Sequence, residues 1–142
     1  MEDLCEKEIT GLHRFFVEWM TGALPRNRKA FARVADALVH GMTMITPQGE
    51  AMACPPLLTA LEAAHGVFTP PDRTFRIWIE NYDCRFVSGD LCLATYEEWQ
   101  DRAGEVKGRL STVLFRRREG APGGVEWLHV HETWLPESAG RS

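Results

Sequence analysis

The sequence predicts an α+β fold in which three N-terminal helices pack on one strongly curved antiparallel sheet. Two observations lead to this class. Apolar residues first recur every three or four positions, which is the period of amphipathic helices. From Arg73 onward they alternate with polar residues in four long runs separated by short turns, which is typical of an antiparallel meander. Helices that close the concave side of such a sheet leave a cavity between the two layers.

The first helix is predicted over residues 3–21, where the apolar positions follow the helical period and Gly22 and Pro25 end the pattern. An aromatic-rich stripe indicates that this helix packs on something wide and flat, such as a sheet; it includes Phe15, Phe16 and Trp19. His13 lies beside the stripe, where it can reach the cavity, although a hydrogen-bonded core histidine is the plainer interpretation.

A second helix is predicted to begin after Asn27, a favourable N-cap residue, and to end at Gly41. Residues 42–46 then favour a short strand, residues 47–49 a turn, and residues 50–53 a returning strand. The helical region is therefore expected to contain a small hairpin.

A third helix is predicted from Pro55, which suits a first helical turn, to Gly66. Four long strands follow, and the first carries a bulge near Asp83. They are predicted at residues 73–86, 91–102, 107–118 and 125–136.

The last strand is the most informative, because alternate side chains of a strand point to opposite faces. Strict alternation places Trp127, His129, His131 and Thr133 on one face and Leu128, Val130, Glu132 and Trp134 on the other. The second face combines a carboxylate with apolar neighbours, as the wall of a pocket would.

Composition narrows the function. A chain of 142 residues with 44% hydrophobic content is expected to form one domain, residues 1–142. The net charge of −4 argues against nucleic acid as a partner. No apolar run has the length of a transmembrane helix, and the acidic N-terminal segment has no signal-peptide pattern, so we expect no membrane association and a cytoplasmic location. The four cysteines form no C-x-x-C pair and are expected to be free thiols.

The order of helix, helix, short hairpin, helix and long meander resembles the nuclear transport factor 2-like superfamily, which has a cystatin-like α+β fold. This superfamily includes ketosteroid isomerase, scytalone dehydratase, the SnoaL polyketide cyclases and the association domain of calcium/calmodulin-dependent protein kinase. The end of the chain, with Phe115-Arg116-Arg117, a glycine-rich turn and residues 127–132, is similar to the end of that association domain and of small bacterial domains related to it.

The resemblance carries an expectation about the ligand. Basic side chains of the association domain line a pocket that accepts acidic ligands, and the matching positions here are Glu97, Thr112 and Glu132. The resemblance therefore implies a neutral or cationic ligand rather than an acidic one. It also implies a pocket without a cofactor, because the superfamily's isomerases use a carboxylate base.

Glu132 and Glu97 are the candidate catalytic residues, since a carboxylate buried in an apolar cup has a raised pKa and can act as a general base. The alternative is that they lie at strand ends, in water or paired with arginines. The expected pocket residues are Trp19, Thr95, Tyr96, Thr112 and Trp134, with Thr112 or Tyr96 available to donate a hydrogen bond to an oxyanion.

The outer sheet face is rich in aromatic residues, and we expect it to form a homodimer interface. The expected interface residues are Trp78, Phe115, Trp127, His129 and His131. The two histidines share a face at a spacing that also suits a metal, but the sequence provides no assured third ligand, so no metal site is predicted.

Three functions therefore remain open from the sequence. The first is a domain that binds a small apolar or amphipathic molecule. The second is a cofactor-independent isomerase, dehydratase or cyclase, and the third is a dimerisation or assembly module. No phosphate-binding loop, nucleophile elbow or dinucleotide fingerprint is present in the sequence.

Overall fold

The computed structural model describes residues 1–71 and 73–136. Asp72 and residues 137–142, which the predicted domain includes, lie outside the described part. The described elements are α1 (Glu2–Met20), α2 (Arg28–Ala35), β1 (Leu38–Ile45), β2 (Ala51–Ala53), α3 (Cys54–Ala63), β3 (Phe75–Ser88), β4 (Leu91–Arg102), β5 (Glu105–Arg117) and β6 (Val125–Trp134). The predicted α+β class is confirmed, with three helices on one curved, mostly antiparallel sheet.

The sheet has six strands in the order β2-β1-β6-β5-β4-β3. Strands β3 to β6 form the predicted meander, and β1 joins it by pairing in parallel with β6. The predicted second helix is too long: α2 ends at Ala35 in the structure, and the segment before Gly41 already belongs to β1. The backbone N–H of Trp127 donates to the carbonyl of Ala37 at 2.9 Å, so pairing with β6 outweighs the local helical pattern.

Local chemistry explains the helix starts. Asn27 accepts a hydrogen bond from the backbone N–H of Ala30 at 2.8 Å, as an N-cap residue should. Two acidic residues occupy the first turn of α1, where they favour the positive end of the helix dipole. A proline lies in the first turn of α3.

Two bulges determine which side chains face the helices. The predicted bulge in β3 is present, with register shifts on both sides of Asp83 and a positive φ of 53° at Asn81. A second bulge lies in β6, where Phe115 pairs with Trp127 while the preceding Leu114 pairs with His129. Leu128 is the extra residue, and it breaks the strict alternation expected for this strand. Trp127 and Val130 therefore both face inward and are buried.

Helix α1 packs its apolar side on the concave sheet face, and the core lies between these two layers. A buried ion pair fixes its position: Glu8, 1% exposed, accepts hydrogen bonds from the guanidinium of Arg33 and from the indole N–H of Trp127 at 2.8 Å. These contacts connect α1 with α2 and with β6, and they hold the helix across the opening of the sheet.

Candidate functional site

A cavity of about 190 Å³ lies between α1, α3 and the concave face of the sheet. We call it the inner cavity. Most of its wall is apolar and is contributed by α1, α3 and the sheet; this part comprises Leu12, Phe16, Met20, Leu38, Met42, Met44, Leu57, Leu61, Phe75, Ile77, Trp127 and Val130. Its polar wall comprises His13, Tyr96, Glu98, Gln100, Arg102, Arg109 and Glu132.

A second depression of about 460 Å³, the outer cleft, adjoins the inner cavity. It lies beside the β4–β5 turn and the end of β6, and it includes Lys107 and Trp134. Four polar residues line both spaces, and we call them the polar rim: Gln100, Arg102, Arg109 and Glu132. The two spaces therefore meet at a ring of charged and amide groups.

His13 and Glu98 form a buried ion pair in the inner cavity, with 2.9 Å between Nε2 and Oε1. The other ring nitrogen, Nδ1, lies 2.7 Å from the carbonyl oxygen of Ile9. Both ring nitrogens thus face acceptors, which favours the doubly protonated imidazolium. Burial by itself lowers the pKa of His13, but the Glu98 charge and the two hydrogen bonds outweigh it and raise that pKa.

The same pair keeps Glu98 ionised. Burial opposes its charge, but His13, Arg109 and the amide of Gln100 lower the pKa of Glu98 to about 2. Gln100 in turn accepts a hydrogen bond from Nε of Arg102 at 2.7 Å. A continuous chain of polar groups therefore runs from His13, on the buried side of α1, to the outer cleft.

The pKa of Glu132 is shifted in the opposite direction from that of Glu98. It is 6% exposed, and burial together with the nearby Glu98 charge raises its pKa. Arg109 donates to Glu132 at 3.1 Å and opposes this shift only in part, and the hydroxyl of Ser111 lies 3.4 Å away. The site thus holds two carboxylates whose pKa values are moved apart, an arrangement that suits proton transfer.

The structure separates the two predicted catalytic residues. Glu132 lines the inner cavity, as expected, whereas Glu97 lies on the convex face of the sheet. There Glu97 accepts hydrogen bonds from Asn81 at 2.9 Å and from the indole of Trp99 at 3.1 Å. The expectation that both carboxylates share the cavity is therefore wrong for Glu97, and its neighbour Glu98 occupies the inward position.

The predicted pocket residues are divided in the same way. Tyr96 lines the inner cavity and Trp134 lines the outer cleft. Thr95 and Thr112 pair with each other on the convex face, so their assignment to the pocket is corrected. Trp19 is 1% exposed and lies in the core beyond the cavity, where its indole donates to the carbonyl of Leu61 at 2.8 Å.

The predicted interface residues also fall on two faces. Trp78, His129 and His131 lie on the convex face, in agreement with the expected placement. Phe115 and Trp127 face inward and are 0% and 3% exposed, so they cannot contribute to an outer interface. The bulge at Leu128 explains the error for Trp127, because it moves this side chain to the other face.

Sequence reasoning did not assign Glu98, Gln100, Arg102 or Arg109 to the site, although a signal was available. The turn between β4 and β5 consists of Ala103 and Gly104, both with positive φ. A two-residue turn fixes the register, so Arg102 must pair with Glu105 and Glu98 must pair with Arg109. Residues at paired positions share a face of the sheet, and the opposite charges of these two pairs indicate a charged cluster on that face.

Over residues 1–71 and 73–136, no cluster of three or more histidine, cysteine or acidic residues has a geometry suited to a metal ion. Within the same residues, no helix is long and apolar enough to cross a membrane. The cysteines are free thiols, and Sγ of Cys84 lies 3.7 Å from Sγ of Cys92.

Comparison with solved structures confirms the expected nuclear transport factor 2-like fold. The chain is similar to a nuclear transport factor 2-like protein of unknown function from Pseudomonas aeruginosa, with a TM-score of 0.80, 23% identity and coverage of 93% and 98% of the two chains. An uncharacterised protein with a cystatin-like fold from Caulobacter vibrioides gives a TM-score of 0.68, with 15% identity over 96% and 92% of the chains. The association domain of CaMKII from C. elegans gives a TM-score of 0.57, with 13% identity over 93% and 97% of the two chains. At these identities the likeness establishes the fold alone.

Comparison with curated proteins gives a more specific relationship. Sucrose-phosphatase 1 of Nicotiana tabacum is 27% identical over 139 residues, which cover 93% of this chain and 31% of that protein. Probable sucrose-phosphatase 3a of Arabidopsis thaliana is 23% identical over 132 residues, covering 93% and 30%. The chain thus spans about a third of the length of these relatives. Residues 6–136 match the family model described as sucrose-6-phosphate phosphohydrolase C-terminal, and the chain therefore belongs to this family.

Proposed function

We propose that this chain is a small-molecule-binding domain whose ligand places an apolar body in the inner cavity and a polar group against the polar rim. The observation that carries the proposal is the inner cavity itself, which combines apolar walls with a charged edge. Ligand sites are typically apolar concavities with a few convergent polar groups. Nuclear transport factor 2-like neighbours make a binding, enzymatic or assembly role consistent with the fold.

The size of the cavity narrows the ligand. A dry cavity of about 150 Å³ is sufficient for benzene, so the 190 Å³ here suits one six-membered ring. Together with the outer cleft, the space is in the usual range for small-molecule sites, about 300–1,000 Å³. We propose a molecule with one ring inside the cavity and a polar substituent that extends towards the cleft.

The expected charge of the ligand has to be revised. The expectation of a neutral or cationic ligand rested on carboxylates facing the pocket, but Glu97 and Thr112 lie on the convex face. Arg102 and Arg109 line the inner cavity together with Glu98 and Glu132. With His13 protonated, three cations face two carboxylates in this cavity, so we propose that the body of the ligand is neutral and that an anionic substituent is permitted at the rim.

Thermal denaturation with single-ring compounds tests the proposal. Phenol, p-cresol and cyclohexanol are suitable probes, and sucrose and sucrose 6-phosphate belong in the set because the curated relatives are named sucrose-phosphatases. A ligand present at ten times its Kd stabilises the folded state by about 1.4 kcal/mol. For a chain of this length, that raises Tm by roughly 3–6 °C.

A paired substitution locates the binding. Met20 lines the inner cavity, whereas Met52 lies on β2 and does not line it. We expect Met20→Trp to fill part of the cavity and to abolish the rise in Tm, while Met52→Trp leaves the rise unchanged. Equal stabilisation of both variants by the same probe, with native circular dichroism, contradicts the assignment of the inner cavity.

We propose proton-transfer chemistry as a second function, because Glu132 has a raised pKa in an apolar cavity. The pKa of Tyr96 is raised well above its usual value by burial, so its phenol stays protonated and can donate to an oxyanion. A cofactor-independent isomerase, dehydratase or cyclase needs such a base and donor. Carboxyl-carbon NMR should give Glu132 a pKa above that of an exposed glutamate, and a normal value contradicts this role. In a screen of ring ketones and hydroxyketones, Glu132→Gln should abolish any turnover found while keeping the native fold.

We propose self-association through the convex face as a third property. Phe86, Leu93, Leu114 and His129 form one row across four strands, and Phe86 is 64% exposed. A second copy of the chain would cover this apolar row. Light scattering at micromolar concentration should give a dimer for the unmodified chain and a monomer for Phe86→Glu. Val67→Glu, at another exposed apolar residue, is the matched control and should remain dimeric; a monomeric unmodified chain contradicts the proposal.

A further inference from the structure

The outer cleft carries three cationic side chains, and two of them lie over one indole ring. The Nζ atom of Lys107 lies 5.3 Å from the centre of the Trp134 ring, and the guanidinium carbon of Arg109 lies 4.9 Å from it. Arg102 lines the same cleft from the end of β4. Contact with the ring face restricts both cations, so their positions are set before any ligand arrives.

Two of these cations lack some of the hydrogen-bond or ion-pair partners that a buried guanidinium group needs. The Nε atom of Arg109 is buried and has no hydrogen-bond partner among the described residues. Arg102 donates from Nε to the neutral amide of Gln100; among the described residues it forms no ion pair, although the charges of Glu98 and Glu105 act on it. A buried donor without an acceptor is costly, so this donor indicates an acceptor that binds from outside the chain.

The carboxylates near the cleft do not cancel these charges. Glu105 pairs with Lys107 at 3.1 Å, but both side chains are largely exposed and such a pair is weak. Glu132 binds Arg109 at 3.1 Å, so the two carboxylates that line the cleft face three cations. The cleft is thus cationic on balance, although the whole chain has a net charge of −4.

We infer that the outer cleft binds the phosphate group of a phosphorylated small molecule, through Arg102, Lys107 and Arg109. The inference rests on the proposed function, because the body of the same molecule occupies the adjoining inner cavity. Three cations from two strands suit a tetrahedral oxyanion, whose several oxygens can each receive a donor. A carboxylate offers only two oxygens, both in one plane with its carbon.

Inorganic phosphate is the probe for the cleft itself. In the uniformly labelled chain, the indole N–H of Trp134 and the Nε–H of Arg109 are direct reporters for proton–nitrogen NMR. Phosphate added at constant ionic strength should shift both resonances to saturation, whereas chloride and acetate should not. Shifts that do not saturate, or an acetate affinity equal to that of phosphate, overturn the inference.

A matched pair of lysine variants tests the residues. Lys107→Gln removes an exposed cation of the cleft and should weaken phosphate binding about fivefold, which is the effect of losing one exposed ion pair. Lys29→Gln removes the same charge at an exposed position of α2 and should leave the phosphate affinity unchanged. Equal phosphate affinity of the two variants overturns the assignment.

A final comparison separates this inference from the proposed function. Met20→Trp blocks the inner cavity, so it should lose p-cresol binding but keep the phosphate affinity of the unmodified chain. Phenyl phosphate, whose apolar ring suits the inner cavity, should bind the unmodified chain more tightly than inorganic phosphate, and Met20→Trp should remove this difference. If phosphate binds but p-cresol never does, only the inner-cavity proposal fails; if p-cresol binds but phosphate does not, only the cleft inference fails.

Discussion

Replacing Glu98 by glutamine should reverse how protonation of His13 affects the stability of the fold. In the unmodified chain the pKa of His13 is raised, so its stabilising contribution is complete below about pH 6.5 and is lost as pH rises through the folded-state value. The pKa of Glu98 is lowered to about 2, so its contribution is present above about pH 4.3 and is lost on further acidification. Together they predict maximal stability from this pair between these two limits.

Glu98→Gln keeps the size of the side chain but removes the charge that holds the proton on His13. Burial then controls the histidine and lowers its pKa, so the folded variant carries a neutral imidazole. The folded states of the two proteins then differ by one bound proton, while the unfolded states are alike above about pH 5.5. The difference in unfolding free energy should therefore grow as the pH falls from 7 to 6, by at most about 1.4 kcal/mol per pH unit.

Urea denaturation followed by tryptophan fluorescence, at several pH values from 5.5 to 7.5, measures this slope. The other four histidines are common to both proteins, so their titration cancels in the difference. Glu97→Gln is the matched control, because it makes the same chemical change one residue away on the convex face. Its difference from the unmodified chain should not vary with pH in this range. A Glu98→Gln difference that is equally flat would refute the charged state assigned to His13.

Three further substitutions test the packing. Gly108→Ala places a methyl group 2.7 Å from the Trp99 ring and should cost about 1–3 kcal/mol in urea unfolding, whereas Gly41→Ala, with no atom within 4 Å, should not show this overpacking cost. Asn27→Ala removes the N-cap of α2 and should cost about 1 kcal/mol; no change in the urea midpoint would mean that the cap is dispensable. Glu8→Ala leaves a guanidinium and an indole N–H without their buried acceptor. It should lower the free energy of unfolding by about 3 kcal/mol in the same assay. A decrease of less than about 1 kcal/mol would count against a buried ion pair.

The position of β1 illustrates a limit of local patterns. Residues around Gly41 continue a helical spacing from α2, yet they form a strand because β6 provides a parallel partner. The parallel pair joins residues more than 80 positions apart, which no local window contains. Pairing of this kind outweighs the small differences in helix propensity between residue types.

The sequence by itself determined the types and order of the elements, because hydrophobic period and turn residues act locally: the N-cap at Asn27, the bulge near Asp83 and the β4–β5 hairpin are all present. It also determined which residues of each regular strand share a face. Only the tertiary structure decided which face is inside. Alternation is symmetric between the two faces of a strand, so Glu98 rather than Glu97 lines the cavity because of where α1 packs. The bulge at Leu128 then moved Trp127 inward, and the charged network formed only when α1, β4, β5 and β6 met.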